Sequence, residues 1–250
     1  MLEIAVIGIG SGNPEHMTLE AVRVLNESDL VLVPRKGAAK ADLADLRREI
    51  CARFLTNAAT RIVEFDMPVR DDADGYRAGV EDWHRAIAAV YRGLLDGAEG
   101  RAALLVWGDP GLYDGTLRIL DHLGRLGLDF TRRVVPGISS LQLLAARHAI
   151  PLNPIAGPMH VTTGRRLREA VPDADHVLVM LDAGGAFRAV SAEDYDIFWG
   201  AYLGMEAEIT VAGPLAEVAD RIETLRAAAR TAHGWIMDVY LLRRRPRSGP

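Results

Sequence analysis

The sequence predicts an α/β protein of two domains, with a mainly parallel sheet in the first and a mixed sheet in the second. Three observations carry that prediction. Apolar, strand-length runs alternate with helical patterns from the N-terminus onward, as expected of strands joined by crossover helices. Near the middle, Ile150-Pro151-Leu152-Asn153-Pro154 reads as a linker, because each proline fixes its own φ and restricts the residue before it. That linker divides the chain into residues 1–149 and 150–250. In the second half, apolar runs ending at Leu203 and resuming at Glu208 leave room only for a short turn, hence a hairpin and an antiparallel pair.

In order, the first element is a strand at Ile4–Ile7 that enters a turn carrying Gly8, Gly10 and Gly12, then Pro14. Thr18 starts a helix with Leu19, Val22 and Leu25 on one face, and a second strand reaches Val33. A helix over Ala41–Phe54, patterned on Leu43, Leu46, Ile50 and Phe54, precedes a strand at Arg61–Phe65 and a polar loop through Asp71, Asp72 and Asp74. The clearest helix follows, with Tyr76, Val80, Trp83, Ile87, Val90 and Leu94 at spacings of three and four. It ends near Gly97 and Gly100. Ala102–Trp107 is a continuous apolar run, as a strand covered on both faces requires, and it leads into Gly108-Asp109-Pro110. A helix with Leu120, Leu123 and Leu126 comes next. The strand Phe130–Val135 ends in Pro136-Gly137-Ile138-Ser139-Ser140, and a short helix runs to about His148. Beyond the linker, strands are expected at His160–Thr163, Val177–Leu181, Trp199–Leu203, Glu208–Ala212 and Trp235–Leu242, with a helix at Leu215–Ala229.

Composition narrows the function classes. The 250 residues are 49% hydrophobic and 25% charged, ordinary for a globular chain, and the net charge of −5 argues against general nucleic-acid binding. An acidic ligand would need a local basic cluster. One cysteine, Cys51, excludes a disulfide within the chain and reads as a buried thiol beside Ile50. The N-terminus has no basic segment, its apolar run is too short for a signal or a span, and the longest uncharged stretch is broken by Pro151, Pro154 and Pro158. A cytoplasmic protein with no membrane partner is expected. The seven histidines include no pair at i, i+4 and have no cysteine partners, so no metal site is expected.

Three loops stand at the carboxyl ends of strands assigned to the parallel sheet: the triple-glycine turn, Gly108–Tyr113 (GDPGLY) and Pro136–Ser140 (PGISS). Ligands of open α/β sheets bind outside those ends. The first loop is not a dinucleotide fingerprint, since Asn13 and Pro14 stand where the third glycine and the phosphate-binding helix start should be, and no Gly-Lys-Ser/Thr follows. A cofactor with little or no phosphate is indicated. Each loop alone is equally well a plain tight turn.

Together and in this order, the loops resemble those of the tetrapyrrole methylases, which transfer methyl groups from S-adenosyl-L-methionine to uroporphyrinogen and the precorrins. The resemblance spans essentially the whole chain. It includes the Gly-x-Gly-x-Gly-x-Pro opening with Thr18-Leu19, the GDPGLY and PGISS loops, Ile150-Pro151-Leu152, and Gly213-Pro214-Leu215 where the family often has Gly-Thr-Leu. Asn13-Pro14-Glu15-His16, Trp107-Gly108-Asp109-Pro110 and Gly234-Trp235-Ile236-Met237-Asp238 are most similar to the branch that methylates C1 of precorrin-5 and releases acetate. The family fold, two α/β domains with the cofactor cleft between them, is implied, as is a homodimer. Carried over, cofactor contacts fall on Gly108, Asp109, Leu112, Tyr113, Ser139 and Ser140, and from the second domain on Met180, Leu181, Leu203 and Gly204. Pro14 and its glycine neighbours would shape the substrate side.

A substrate rich in carboxylates calls for guanidinium groups. Arg35 and Lys36 after the second strand, and Arg70 before Asp71, are placed for that role or are solvated surface charge. The run Arg243, Arg244, Arg245 and Arg247 reads as a solvated tail. Glu15, His16, Asp109, Tyr113 and Glu206 are all candidates for a base in acetate loss, and sequence does not rank them. The alternative within the class is a methylase of the same fold acting at another precorrin carbon or on a non-tetrapyrrole. Two departures stand out: Gly213-Pro214 replaces Gly-Thr, and Pro34-Arg35-Lys36 follows the second strand where many members have Tyr-Asp.

Overall fold

Strand β1 (Leu2–Gly8) sends alternate side chains to opposite faces, Ile4 and Val6 to one core and Ala5 and Ile7 to another. That is why the run is apolar throughout. The computed structural model describes residues 1–35, 41–71, 73 and 75–246, with residues 41–45 described by backbone alone. Two units partition the chain, Met1–Ser139 and Ser140–Pro250.

In the first unit, β1, β2 (Leu30–Arg35), β3 (Arg61–Asp66), β4 (Gly100–Val106) and β5 (Phe130–Val135) form a parallel sheet in the order β3-β2-β4-β1-β5. Helices α1 (Leu19–Asn26) and α2 (Ala41–Phe54) cover one face, where Val24, Leu25 and Ile50 meet Ile7, Val31 and Leu105. Helices α3 (Tyr76–Leu94) and α4 (Thr116–Arg125) cover the other, where Ile87, Tyr91 and Leu120 meet Val6, Leu32 and Leu104. Thr18 caps α1 through its Oγ1, which accepts from Ala21 N at 3.0 Å.

The second unit begins with α5 (Ser140–His148), ahead of the proline-rich linker, and His148 packs edge-on to Phe198. Its sheet is mixed, as expected: β6 (His160–Thr163) and β7 (His176–Met180) are parallel, and β10 (Asp238–Arg244), β8 (Tyr195–Ala201) and β9 (Ile209–Pro214) add antiparallel pairs in the order β6-β7-β10-β8-β9. Helix α6 (Gly164–Glu169), too short to show a period, buries Leu167, and α7 (Leu215–His233) buries Leu215 and Ile222 against Trp199 and Tyr240. Strand β8 starts at Tyr195, earlier than expected, because Tyr195 and Ile197 join Trp199 in the core behind the charged Glu193-Asp194. Strand β10 starts at Asp238, later than expected, because Gly234 ends α7 in the left-handed region and Met237 O accepts from Tyr202 N. Among the described residues no helix is long and apolar enough to cross a membrane.

Candidate functional site

The three loops singled out in the first half meet, and glycine is what lets them. A Cβ on Gly8 would lie 2.6 Å from Gly137 N and 2.8 Å from Gly108 O, and a Cβ on Gly137 would lie 2.8 Å from Gly8 Cα. No side chain fits at either position. Gly108, at φ 69°, donates its N–H to Gly10 O at 2.9 Å, bridging the first loop to the second. Asp109 then ties the second loop to the third: Oδ1 accepts from Gly111 N at 2.8 Å and Oδ2 from Gly137 N at 2.9 Å. Both carboxylate oxygens thereby accept from the backbone, which makes Asp109 a staple of the junction.

The other expected residues of the first unit lie along the same three loops. Pro14 is buried at the first position of a 3-10 turn, Pro14–His16, whose cap is Asn13 Oδ1 accepting from Glu15 N at 2.9 Å. His16 packs its Cβ over Gly10, and Glu15 pairs with Arg53 at 3.1 Å. Leu112 closes the tight turn of the second loop on Asp109 O, and Ser139 is buried. Ser140 opens α5 in the second unit. Sequence reasoning passed over Ser11. Its buried hydroxyl has no protein hydrogen-bond partner and lies 3.7 Å from where a Cβ on Gly108 would sit. The one available signal was a polar residue between two glycines.

In the second unit, Met180 ends β7 and Leu181 follows it, while Leu203 and Gly204 follow β8. Since β10 runs antiparallel to both strands, with Tyr240 opposite Val179 and Trp199, the two turns emerge at the same end of the sheet. Leu181 is 58% exposed. Gly204 N donates to Glu208 Oε2 at 2.7 Å, and Arg147 holds the other oxygen of Glu208. Backbone strain marks the same loops: of five described non-glycine residues at positive φ, three are Tyr113 (51°), Leu181 (53°) and Tyr202 (50°). Bulky side chains held there cost about 1–3 kcal/mol each, a cost that concentrates at ligand sites.

Beneath Leu181 lies a buried polar network that no sequence pattern announces. Asp182 accepts from Ala186 N at 2.6 Å, Gly184 N at 3.1 Å and Tyr240 Oη at 2.9 Å. Arg226 bridges Asp182 O and the carboxylate of Asp238, which also accepts from Trp199 Nε1. Burial outweighs the attraction of Arg226 and raises the Asp238 carboxyl to about 6. The network fixes the turn that displays Leu181.

The expected substrate clamps are differently placed. Arg35 makes a bidentate pair with its register partner Asp66, at 3.0 and 3.1 Å, so a substrate carboxylate must compete for it. Arg70 is exposed with its guanidinium over the Tyr76 ring. Lys36 and Arg247 lie outside the described residues. Glu206 is exposed in the turn after β8.

Comparison with known proteins identifies the family and the fold. The family model described as Tetrapyrrole (Corrin/Porphyrin) Methylases matches residues 3–219. The chain is 51% identical over 250 residues to a precorrin-6A synthase [deacetylating] of Sinorhizobium sp, covering 98% of this chain and 96% of that one. A probable cobalt-precorrin-2 C(20)-methyltransferase of Methanocaldococcus jannaschii is 26% identical over 70% of each chain. Among solved structures, a putative cobalamin synthesis related protein (CobF) from Corynebacterium diphtheriae superposes with a TM-score of 0.84 at 37% identity, covering 97% and 98% of the two chains. The fold is shared, at 20% identity and a TM-score of 0.58, with a uroporphyrin-III C-methyl transferase from Thermus thermophilus complexed with S-adenyl homocysteine, over 96% of this chain and 91% of that one.

Proposed function

The chain belongs to the tetrapyrrole methylases, and we propose that it is the S-adenosyl-L-methionine-dependent enzyme that methylates C1 of precorrin-5, releasing acetate to give precorrin-6A. The observation that carries this reading is the 51% identity along nearly the full length of a precorrin-6A synthase.

The loops suit a cofactor of this kind. Neither GDPGLY nor PGISS contains a basic side chain, such as the lysine of a phosphate-binding loop. When bound, the cofactor supplies an electrophilic methyl group on a sulfonium. Gly108, Asp109, Leu112, Tyr113, Ser139 and Ser140, with Met180, Leu181, Leu203 and Gly204, are the residues proposed to hold it. Asp109 fixes the loops of the first unit and Asp182 the turn after β7 in the second, and with the cofactor held there proximity and alignment would supply much of the rate. Pro14 and the glycines around it shape the substrate side, with Arg35 and Arg70 offering guanidinium groups to the carboxylates.

Methyl transfer breaks the methyl–sulfur bond and forms the bond to C1, and release of the two-carbon unit as acetate takes up a water. A cytoplasmic homodimer is part of the same reading. The test is calorimetry with S-adenosylhomocysteine followed by turnover of precorrin-5 and of earlier precorrins. Tight cofactor binding with turnover of precorrin-5 alone supports the proposal. Binding with methylation of an earlier precorrin moves the chain to a sister reaction, and no binding defeats the enzyme reading.

A further inference from the structure

The first sheet has a second opening at its carboxyl end that the glycine loops do not occupy. Helix α2, which follows β2, packs on one face of the sheet, and α4, which follows the adjacent β4, packs on the other. Open α/β sheets form their ligand crevices at such points. Pairing of β2 with β4 stops at Leu32 and Leu104 although both strands continue. In the gap, Arg47 of α2 donates from Nε to Leu105 O at 2.9 Å, which brings its guanidinium to the wall of a cavity of about 110 Å³ on the α3/α4 side. Arg47 is only 8% exposed.

Tyr91, Asp114 and Thr116 supply the remaining polar wall, and Trp83 and Ile119 the apolar one. Asp114 Oδ1 is spent on Thr116 N at 2.7 Å, at the first turn of α4, where the helix end favours negative charge. Burial pushes the Tyr91 phenol up, so it stays a hydrogen-bond donor. A recess walled by Arg47, Tyr91 and Asp114 is polar enough to take up water or a ligand. A volume near 110 Å³ admits a group of a few heavy atoms.

We propose that this cavity is a binding site for one short carboxylate, of the size of an acetate group. Under the proposed function, on which this last step rests, such a group has two sources: an acetate side chain of the tetrapyrrole or the acetate set free. Binding itself is tested without turnover, by saturation-transfer NMR of the acetate methyl on the full-length protein, with chloride at matched ionic strength as control. Saturable acetate binding is expected, weakened about tenfold or more in Arg47→Gln. Thr116→Ile, which fills the cavity while its backbone N–H still reaches Asp114, is expected to abolish it even if Arg47→Gln fails to fold. In turnover, competition between acetate and the tetrapyrrole assigns the site to a substrate side chain, and noncompetitive product inhibition assigns it to the released acetate. No saturable binding, or binding unchanged in a folded variant, overturns the proposal. Acetate binding without turnover of precorrin-5 leaves the site standing and removes the proposed reaction.

Discussion

Replacing Gly137 by alanine puts a Cβ 2.8 Å from both the carbonyl carbon and Cα of Gly8, and closer still to the carbonyl oxygen of Gly108. Ordinary carbon contacts lie at about 3.5–4.0 Å, so the new methyl is roughly 1 Å too deep on two sides. Every atom it meets is backbone, belonging to the end of β1 and the loop after β4, so no side-chain rotation relieves the overlap. Overpacking of this sort costs about 1–3 kcal/mol, and the absence of a yielding neighbour places Gly137→Ala near 3 kcal/mol. At roughly 2–4 °C per kcal/mol for a chain of this length, its melting point should fall by about 6–12 °C. Gly124→Ala is the control, since a Cβ there meets nothing within 4 Å and α4 should gain up to about 1 kcal/mol. Urea unfolding gives both differences, and calorimetry with S-adenosylhomocysteine shows whether the junction also serves the cofactor. A Gly137→Ala protein within about 0.5 kcal/mol of wild type, with undiminished binding, would refute the close-packed junction.

Asp109→Asn leaves one of the amides of Gly111 and Gly137 facing an NH₂ group, so urea unfolding should show a loss of about 1–3 kcal/mol together with weaker cofactor binding. Burial pushes the Cys51 thiol up to about 11; iodoacetamide at mildly alkaline pH should therefore spare the folded protein and label it only on unfolding, and rapid labelling of the native chain would contradict that burial. Asp238 is raised in the folded state from 3.8 to about 6, so the native protein holds its proton more tightly than the unfolded chain does. Its stabilising effect, about 3 kcal/mol at most, is complete below about pH 4 and is lost as pH rises through about 6. The stability of wild type relative to Asp238→Asn should fall across that window, and a flat or rising difference would count against it.

What could be read in advance follows from which constraints are local. Gly8 at the end of β1, and Gly108 and Gly137 two residues beyond β4 and β5, were visible because a loop needing positive φ or close backbone approach leaves glycines in the chain after a strand. Thr18 announced α1 because a cap acts over three residues. Other features depend on partners far apart in sequence. Asp66 faces Arg35 only through the register of β2 and β3, and Asp182, Arg226 and Asp238 come together from the turn after β7, from α7 and from β10. Nothing in the sequence sets Arg47 apart from the other charged residues of α2, and its place inside depends on Leu105 O, 58 residues away, where β2 and β4 part. Strand β8 began before its expected start because Glu193 and Asp194 masked the alternation of Tyr195, Ile197 and Trp199.

The central claim, methyl transfer coupled to loss of a two-carbon unit, is tested most directly by incubating the enzyme with methyl-labelled S-adenosyl-L-methionine and precorrin-5 and counting label and acetate in the same sample. One acetate released for each methyl transferred, with the label at C1, is the predicted result. Label in the product without acetate, or no transfer at all, would contradict it.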